Sequence, residues 1–439
     1  MTDRHLAPPA GQRLPLDGKR ILMVLVEYPT TGTAGFHSYN RAVLASMLEQ
    51  GASVCAFVLE PRYRKLYESI RDLGATDRLA IVAPGLLRRR DMVAVAGIRA
   101  LAGYAYRQVK LWWTARRQLQ TTPAASRVRI GRFMSSRQVA SVKAKIRDWQ
   151  PDLLMLDTLF MAPVIGQVGR LPKVVVAHDV FHQRVENLQR AGMRPEPVID
   201  YSTERSLLLT ADAVLAISEA DAVAFRSMGL PSPVQVFSPP VELRPPSKGG
   251  NPHTPRLFYM GSAAHHNVHA LTWFISNAWP LLRSRWPNLE LVVAGDVGAA
   301  ALPSPPEGVT CVGRVEDPGQ AAQGCIAAID PVQAGSGVKI KIITYLSIGL
   351  PCITSPSGAL GLEDFSAGLV VASEPEDYAT ALGAICAATT PAAQRQQDLR
   401  VIFEARHRSE HLQLSHLVLD LLRRGARSPA RGCRPMPPN

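Results

Sequence analysis

Two glycines and two lysines within one short stretch are the residues of this chain that point most directly to chemistry. Gly335 and Gly337 let the backbone approach a ligand without an intervening Cβ. A helix is predicted to begin near Val338, so its free N–H groups and the positive end of its dipole would face the same ligand. Lys339 and Lys341 add charge beside that helix end. The stretch is therefore predicted to bind an anion, and a diphosphate fits it best.

The elements that must position this stretch alternate between strands and helices. The predicted strands are continuously apolar, as expected for parallel strands covered on both faces. In the first half they are Ile21–Val26, Ser53–Leu59, Leu79–Ala83, Asp152–Leu156, Val174–His178, Ala213–Ile217 and Val234–Phe237. In the second half they are Leu257–Met260, Leu289–Ala294, Val309–Val312, Ala327–Ile329, Cys352–Thr354 and Leu369–Val371. The predicted fold class is α/β, with two Rossmann-like parallel sheets whose strand ends line an interdomain cleft.

A chain of 439 residues is too long for one ordinary core, so two domains are expected. The stretch 239–255 holds six prolines and two glycines, which forbid regular structure and predict a linker. We predict a flexible N-terminus over residues 1–18, a Rossmann-like domain over 19–238, a second such domain over 256–424 and a disordered tail over 425–439. The second domain ends in a helix predicted over Ala392–Arg424.

Composition excludes several classes of protein. The six cysteines are scattered and contain no CxxC pair, which argues against a zinc site or a disulfide framework and fits a reducing compartment. The first twenty residues contain no apolar core of a signal peptide. No stretch of about 20 apolar residues is present, so no membrane-spanning helix is predicted.

The positive charge of the chain is concentrated in one region. The net charge is +13, and residues 86–149 contain 15 Lys or Arg against two acidic residues, so the remaining chain sums to zero. A localised basic region indicates a localised anionic partner. A solvated helix face with basic loops is the alternative.

A helix predicted over Asp91–Gln120 gives this basic region two faces. Its cations lie within about 80° of one another at 100° per residue, and they are Arg99, Arg107, Lys110 and Arg117. The opposite side is apolar and consists of Ile98, Leu101, Ala105, Val109 and Trp112, while Tyr106 and Trp113 flank the cations. Cations for lipid phosphates and aromatic rings for the headgroup level are typical of a membrane-surface helix. Nucleic acid is the less favoured partner because no DNA- or RNA-binding motif accompanies the charge.

Further candidate residues lie where predicted strands end. His178 follows an apolar strand directly, although a single histidine in such a place is more often structural. Gly32 and Gly35 lie between the first strand and a helix predicted over Ser38–Gln50, where a plain turn is equally expected. His265 and His266 lack a third ligand at a suitable spacing, and no Asp-x-Asp motif is present, so no metal site is predicted.

From about Lys19 to Arg424 these motifs occur in the order found in GT-B glycosyltransferases of family 4, and the chain resembles that family. The motifs are the loop Gly32-Thr33-Ala34-Gly35, His178-Asp179, the run from YSTERS to ISEAD, TCVGRVED and AGSGVKIKIITYLSIGLPCITSPSGALGL. The resemblance implies a GT-B fold and transfer of a sugar from a nucleotide-sugar.

The resemblance also implies roles for individual residues. The residues implied to bind the donor diphosphate and sugar are Gly32, Gly35, Gly261, Ser262, Gly335, Ser336, Gly337 and Lys339. Those implied to read the nucleotide base are Gly313, Arg314 and Val315, and those implied to be catalytic are His178, Lys341 and Thr344. The residues expected at the membrane and acceptor side are Arg99, Arg107, Lys110, Trp112, Trp113 and Arg117.

Residues beside these motifs are expected to support the structure. Asp179 is expected to orient His178 or to cap the following helix. Ser218 is expected to cap a helix with Asp221 three residues on. Tyr201, Glu204 and Asp212 stand at family positions that we interpret as structural.

Two departures from the family pattern stand out. The arginine and lysine that many members carry near Gly261-Ser262 are missing, which leaves the diphosphate charge to Lys339 and Lys341. Many retaining members carry two glutamates eight residues apart, and here those positions are Ser336 and Thr344. A hydroxyl can still bond a ribose, but as a neutral bond of about 0.5–1.5 kcal/mol instead of a charged one of about 1.5–3 kcal/mol.

The resemblance therefore implies a retaining hexosyltransferase that uses a nucleoside diphosphate sugar as co-substrate, and the motifs predict that it needs neither a metal ion nor another cofactor. The expected acceptor is a hydroxyl of a glycan or lipid-linked molecule in cell-surface polysaccharide or glycolipid biosynthesis. The expected location is cytoplasmic, at the anionic inner face of the cell membrane, without nucleic acid as partner. The alternative is a catalytically inactive GT-B scaffold or partner subunit at the membrane.

Overall fold

The first half of the chain is built on one parallel sheet. The computed structural model describes residues 14–27, 35–59, 66–69, 76–89, 92–117, 132–190, 197–239, 250–315, 317–333, 338–388 and 392–427. The strands of this sheet are β1 (Arg20–Leu25), β2 (Ser53–Val58), β4 (Leu79–Val82), β7 (Leu153–Asp157), β8 (Lys173–Ala177), β9 (Ala213–Ala216) and β10 (Val234–Val236). They lie in the order β10-β9-β8-β7-β1-β2-β4, and all neighbours are parallel.

Helices cover both faces of this sheet. Alternate residues of β1 lie in different cores: Ile21 and Met23 lie in one, and Leu22 and Val24 lie in the other. The helices that cover this sheet are α1 (Gly35–Glu49), α3 (Ser136–Trp149), α4 (Phe181–Arg190), α5 (Tyr201–Leu208) and α6 (Glu219–Ser227), and this half also contains α2 (Ile98–Arg117). Burial on both faces is the reason for the continuously apolar strand sequences, which place all seven predicted strands within one residue of their observed ends.

A small antiparallel sheet beside this half was not predicted. Its strands are β3 (Tyr67–Ser69), β5 (Leu86–Arg89) and β6 (Met92–Val95), in the order β3-β6-β5. The prediction of a helix from Asp91 is therefore wrong at its start, because residues 92–95 pair with β5 and β3 and the helix begins only at Ile98. Gly97, with a φ of 90°, separates the strand from the helix in a conformation that favours glycine.

The second half repeats the architecture with six parallel strands. They are β11 (Arg256–Met260), β12 (Glu290–Ala294), β13 (Val309–Gly313), β14 (Ala327–Asp330), β15 (Cys352–Thr354) and β16 (Leu369–Val371), in the order β13-β12-β11-β14-β15-β16. The helices are α7 (His265–Trp273), α8 (Trp279–Arg285), α9 (Val297–Ala301), α10 (Pro318–Ala321), α11 (Ile340–Ser347), α12 (Pro356–Ala359) and α13 (Pro375–Ala387). All six predicted strands are present within one residue of their predicted ends.

The last helix, α14 (Ala392–Arg427), joins the two halves. Its first turns place Leu399 and Phe403 in a core of the second half, whereas Leu414 and Val418 lie in a core of the first half. At the crossing, Glu410 accepts hydrogen bonds from the backbone N–H and the hydroxyl of Ser238 at 2.6 and 2.7 Å. The helix predicted to close the second domain thus also completes the first.

The N-terminal segment is packed earlier than predicted. Leu16 is fully buried in the core that also contains α1, and its N–H donates to the carbonyl of Gln50 at 2.9 Å. The prediction of flexibility through residue 18 is therefore wrong for residues 14–18, because the buried leucine anchors them.

Candidate functional site

The carboxyl ends of the two parallel sheets face each other. Ser218, after β9, lies so close to Gly361, after α12, that a Cβ at Gly361 would come within 3.1 Å of the Ser218 Cβ. Lys339, directly before α11, interacts electrostatically with Asp179 and Asp221 of the first half. Ligands of open α/β sheets bind outside the carboxyl ends of the strands, so these facing edges are the candidate site.

His178 lies at the end of β8 and pairs with a buried carboxylate. Its Nε2 lies 2.5 Å from Oδ1 of Asp157, which ends the neighbouring strand β7. The edge of the Tyr39 ring packs against the imidazole at a centroid distance of 5.3 Å. The histidine ring is thus fixed by its carboxylate partner and by an aromatic neighbour.

Asp157 is held in its ionised form. Burial pushes the pKa of this carboxyl up, but the charge and hydrogen bond of His178 push it down further, so that the pKa lies below its ordinary value. The N–H of Val26 also donates to Asp157 Oδ2 at 3.2 Å. The next residue, Thr158, is buried and has a φ of 104°, a conformation that a β-branched residue rarely adopts. Such strain accompanies functional sites.

The carboxylate that holds the start of α4 is Glu204, from α5. It is fully buried and accepts hydrogen bonds from the N–H groups of Phe181 and His182 at 2.9 and 2.8 Å, and it contacts His182 Nδ1 at 2.7 Å. The expectation that Asp179 orients His178 or caps this helix is therefore wrong, because Asp157 and Glu204 occupy those two roles.

Asp179 and Asp221 are two further buried acids at this edge. Asp179 Oδ2 accepts from Arg184 Nη1 at 2.8 Å. The N–H of Asp221 donates to the Ser218 hydroxyl at 3.0 Å, which confirms the predicted helix cap. Burial and then the charge of Asp179 raise the pKa of Asp221 to about 7.

The edge of the second half carries positive charge, and Lys341 is its most tightly held member. Its ammonium lies 2.8 Å from Asp330 Oδ1, 2.9 Å from Asn267 Oδ1 and 3.5 Å from the Tyr259 hydroxyl. Burial would lower the pKa of Lys341, but the Asp330 carboxylate outweighs it and raises the pKa above the ordinary value. Three neighbours therefore occupy the three donor directions of this ammonium.

The Lys341 ammonium connects α11 to the turn after β11. Asn267 Nδ2 donates to the carbonyl and the hydroxyl of Ser262 at 3.2 and 3.3 Å. Gly261 packs so closely that a Cβ there would lie 3.3 Å from Asn267. The predicted donor-binding residues Gly261 and Ser262 are thus held through Asn267 by Lys341.

Lys339 is the N-cap residue of α11, which begins at Ile340 and not at Val338. Burial lowers the pKa of Lys339, while Asp330 and Asp179 oppose that effect. His266 is half-buried, and burial together with the charges of Lys341 and Arg184 lowers its pKa to about 3, so the ring is neutral. The influence of Arg184, which belongs to α4, again places the two halves face to face.

The predicted base-reading loop follows β13. Gly313 has a φ of 69°, and the Arg314 guanidinium pairs with both carboxylate oxygens of Asp296 at the start of α9. Val315 packs against the core that contains α11. Thr344 is half-buried within α11, and its hydroxyl donates to the carbonyl of Ile340 at 3.1 Å.

Several predicted residues lie outside the described part of the chain. Gly32, Gly335, Ser336 and Gly337 do so entirely, while Gly35 is the first residue of α1. The basic and aromatic residues predicted at the membrane lie on α2, but their side chains are not described: Arg99, Arg107, Lys110, Trp112, Trp113 and Arg117.

Two findings concern metals and membranes. Within the described residues, no three His, Cys, Asp or Glu side chains lie close enough together to hold a metal ion. None of the described helices is both long and apolar enough to cross a membrane.

Two family profiles match the chain. "Glycosyltransferase Family 4" matches residues 79–244, and "Glycosyl transferases group 1" matches residues 254–387. The chain is a GT-B glycosyltransferase of the family 4 type. The resemblance inferred from the motifs is thereby confirmed, and so is the assignment as an enzyme.

Solved structures confirm the GT-B fold of this glycosyltransferase. Sucrose-phosphate synthase from Thermosynechococcus elongatus is 14% identical with a TM-score of 0.63, over 92% of this chain and 100% of that one. Anabaena Alr3699/HepE in complex with UDP and glucose is 13% identical with a TM-score of 0.55, over 92% and 100%. The lipopolysaccharide outer core galactosyltransferase WaaB is 12% identical with a TM-score of 0.53, over 90% and 99%. No curated protein sequence matches the chain.

Sequence reasoning missed the partners of the predicted residues. Asp157 could have been found from the sequence, because it stands at the end of an apolar strand. His178 stands at the same place at the end of the next strand. Asp330 ends β14 in the same way. Asn267 carried no comparable signal, because its contact with Lys341 spans 74 residues of sequence.

Proposed function

We propose that this glycosyltransferase moves a sugar from a nucleoside diphosphate sugar to a hydroxyl of a glycan or lipid-linked acceptor. The observation that carries the proposal is the position of Lys339 at the start of α11, across the cleft from the acidic edge that contains His178 and Asp157. A donor whose diphosphate lay at α11 would direct its sugar toward His178.

The chemical task of the cationic edge is to stabilise the departing diphosphate. The bond between the anomeric carbon and the diphosphate breaks, a bond to the acceptor oxygen forms, and the acceptor proton passes to the departing diphosphate. Lys339 and the free N–H groups at the start of α11 would face the charge that develops there. Because these groups belong to the chain itself, we propose that transfer proceeds without a metal ion.

Lys341 serves the same edge through its neighbours. Its ammonium is occupied by Asp330, Asn267 and Tyr259, so its proposed role is to hold the Gly261–Ser262 turn and the start of α11 in register. Lys339 would then provide the charge that the diphosphate meets.

His178 is proposed to contact the hydroxyls of the transferred sugar. Asp157 accepts from Nε2 and thereby fixes which ring nitrogen carries the proton and how the ring is turned. Gly313, Arg314 and Val315 are proposed to surround the base, and Thr344 is proposed to lie near the ribose. Retention at the anomeric carbon is expected from the family resemblance.

A ligand panel tests the donor assignment. We expect one of UDP, GDP or dTDP, alone or sugar-linked, to raise the unfolding temperature, since a ligand at 100 times its Kd adds about 2.7 kcal/mol of stability. Radiolabelled sugar transfer with and without EDTA then tests metal independence. Absence of any stabilisation at millimolar concentration would contradict the donor site.

The acceptor side is proposed to lie at an anionic membrane surface, in cell-surface polysaccharide or glycolipid synthesis on the cytoplasmic side. The apolar face of α2 supports this, because Ile98, Val109 and Leu101 are 88%, 62% and 43% exposed. Ala100 of α2 packs against Gly85 before β5, which places the helix beside Leu87, 62% exposed on the small sheet. Exposed apolar side chains next to a strongly basic region are typical of membrane-surface segments.

Liposome co-sedimentation tests the membrane proposal. The full chain should bind vesicles rich in phosphatidylserine at low salt, and binding should weaken as salt rises. The double variant Ile98→Ser/Val109→Ser should bind at least tenfold more weakly. Val401→Ser, which removes an equally exposed valine from α14, is the matched control. Equal binding of all three proteins would contradict the proposal.

A further inference from the structure

We propose that Asp179 and Asp221 form a subsite that accepts hydrogen bonds from a vicinal diol of a carbohydrate ring. The inference rests on the proposed function and adds a sugar-recognition element on the side of the cleft formed by the first half. It assigns the two residues a ligand-binding role that their motifs did not suggest.

Each of the two carboxylates has one buried oxygen that lacks a partner, and Asp179 is anchored through its other oxygen. Asp179 Oδ2 accepts from Arg184, whereas its Oδ1 is buried and accepts no hydrogen bond within the described residues. Asp221 has a side-chain hydrogen bond with Ser218, whereas its Oδ2 is likewise buried and accepts none within that part of the chain. Both residues are more than nine-tenths buried, with exposures of 6% and 5%.

Unpartnered buried acceptors are rare in folded proteins because they lose their bonds to water and gain nothing in return. Two of them on neighbouring elements are rarer still. Asp179 follows β8 and Asp221 lies in the first turn of α6 after β9, and these two strands are paired through Ala177 and Ala216. The two carboxylates are close enough for the charge of one to act on the other. Two acceptors that follow paired strands are suited to a ligand with two adjacent donors.

The surrounding charges decide which class of ligand fits. A phosphate or carboxylate ligand would be repelled by the Asp179 carboxylate, and by Asp221 once that acid is ionised. A metal cation would be opposed by Lys339, whose charge acts on both acids, and by Arg184, which already binds Asp179. A neutral molecule that donates from hydroxyl groups avoids both penalties, and adjacent ring hydroxyls of a sugar supply two donors at once.

The position of the acid pair also matches the path of a donor. Asp179 is the residue after His178, and Lys339 lies across the cleft at the start of α11. The contact between Ser218 and Gly361 brings the two halves together beside this point. Many members of the family carry glutamates at the positions of Ser336 and Thr344, the second of which contacts the ribose, and this chain has neither carboxylate. Asp179 and Asp221 would supply such acceptors from the opposite wall.

Calorimetric titration of Asp179→Asn and Asp221→Asn tests the inference. The probes are the nucleoside diphosphate that stabilises the wild-type chain, the same nucleotide linked to its sugar, and the 2′-deoxy nucleotide. The amide replaces an acceptor oxygen by a donor of nearly equal size and removes the charge, so the change in affinity reports on hydrogen bonding and charge and not on packing. Asp200→Asn, which alters the exposed cap of α5, is the matched control.

We expect both variants to bind the nucleotide-sugar at least tenfold more weakly than the wild type and to bind the nucleoside diphosphate unchanged. That pattern assigns the diol to the transferred sugar. A tenfold loss for the nucleoside diphosphate but not for its 2′-deoxy form assigns it to the ribose. A tenfold rise in the acceptor KM with donor affinities unchanged assigns it to the acceptor. Each of these results supports the subsite.

The inference is overturned if both variants match the wild type within threefold for every ligand and for the acceptor KM. The proposed function fails separately, and the inference with it, if the wild-type chain itself binds none of the nucleotides. Circular dichroism and thermal unfolding of the variants and of Asp200→Asn confirm that the compared proteins are folded.

Discussion

The two edges that face each other across the cleft carry opposite charge and hold it in different ways. The first half contributes the buried acids Asp157, Asp179 and Asp221, two of which keep an unpartnered oxygen. The second half contributes Lys339 and Lys341, and the ammonium of Lys341 is fully occupied. A nucleoside diphosphate sugar also has two chemically different ends, an anionic one and a hydroxylated one. The comparison teaches that each edge suits one end of such a donor.

The ion pair between Lys341 and Asp330 should give the largest effect and tests how the cationic edge is held. Asp330→Asn and Lys341→Met each leave a buried charge without its partner, which should lower the free energy of unfolding by about 3–5 kcal/mol. Urea denaturation measures the loss. If Lys341 acts by positioning, both variants should also weaken nucleotide binding to a similar extent.

The same two variants separate positioning from direct contact. Removal of the Asp330 charge would release Lys341 for a phosphate, so a gain in nucleotide affinity in Asp330→Asn together with a loss in Lys341→Met would identify Lys341 as a direct ligand. Thr310→Ala, on the exposed face of β13, controls for general effects on the second half.

Lys339 is the residue of the cationic edge whose removal should lower the rate of catalysis most directly. Lys339→Met should lower kcat about 100-fold or more, because loss of one preorganised donor to a developing charge typically has an effect of that size. Steady-state kinetics with saturating donor measures it. Lys173→Met removes a lysine that pairs with Asp212 at the far end of β8 and should leave kcat within about threefold. Equal kcat values for Lys339→Met and the wild type would show that the charge of Lys339 does not stabilise the departing diphosphate.

The acidic edge should make the free energy of unfolding depend on pH. The pKa of Asp221 is raised to about 7 by burial, with Asp179 and Glu204 raising it further and Ser218 and Lys339 lowering it. Since the ordinary value is about 3.9, the folded state binds the extra proton between about pH 4 and 7. Its stability should therefore fall by about 1.4 kcal/mol per pH unit as pH rises through that window and then level off.

Urea denaturation at pH 5, 6, 7 and 8 measures this slope. Asp221→Asn should lack the Asp221 contribution, whereas Asp200→Asn, at an exposed cap, should retain it. A wild-type and an Asp221→Asn chain with the same pH profile would show that Asp221 does not titrate in this range.

Thr344 should give the smallest effect. Its hydroxyl already donates to Ile340, so Thr344→Ala should cost about 0.5–1.5 kcal/mol of nucleotide binding at most. Thr344→Glu, which restores the family residue, should tighten binding of the ribonucleotide more than that of its 2′-deoxy form. Calorimetry with both nucleotides measures the difference, and equal tightening of both would dissociate Thr344 from the ribose.

The two large sheets could be predicted because burial on both faces makes each strand a continuous apolar run. Such a run can be recognised without knowing which strand it pairs with. The small sheet could not, because β6 (Met92–Val95) is one short apolar run whose pairing with β5 (Leu86–Arg89) decides its conformation. The candidate site divides in the same way. Residues that end a strand, such as His178, were found from local sequence, whereas the network of Lys341 depends on contacts between distant segments.

The route of α14 has a consequence for the order in which the chain acquires its structure. Leu414, Val418 and Leu421 fill a core that also contains Leu16, so the first half lacks part of its interior until α14 has been synthesised. Domains generally fold as units during synthesis, starting from the N-terminus. Here the first half would keep an open apolar groove during synthesis, and α14 would fill it. A nascent chain cut short within α14 would therefore leave both halves without part of their cores.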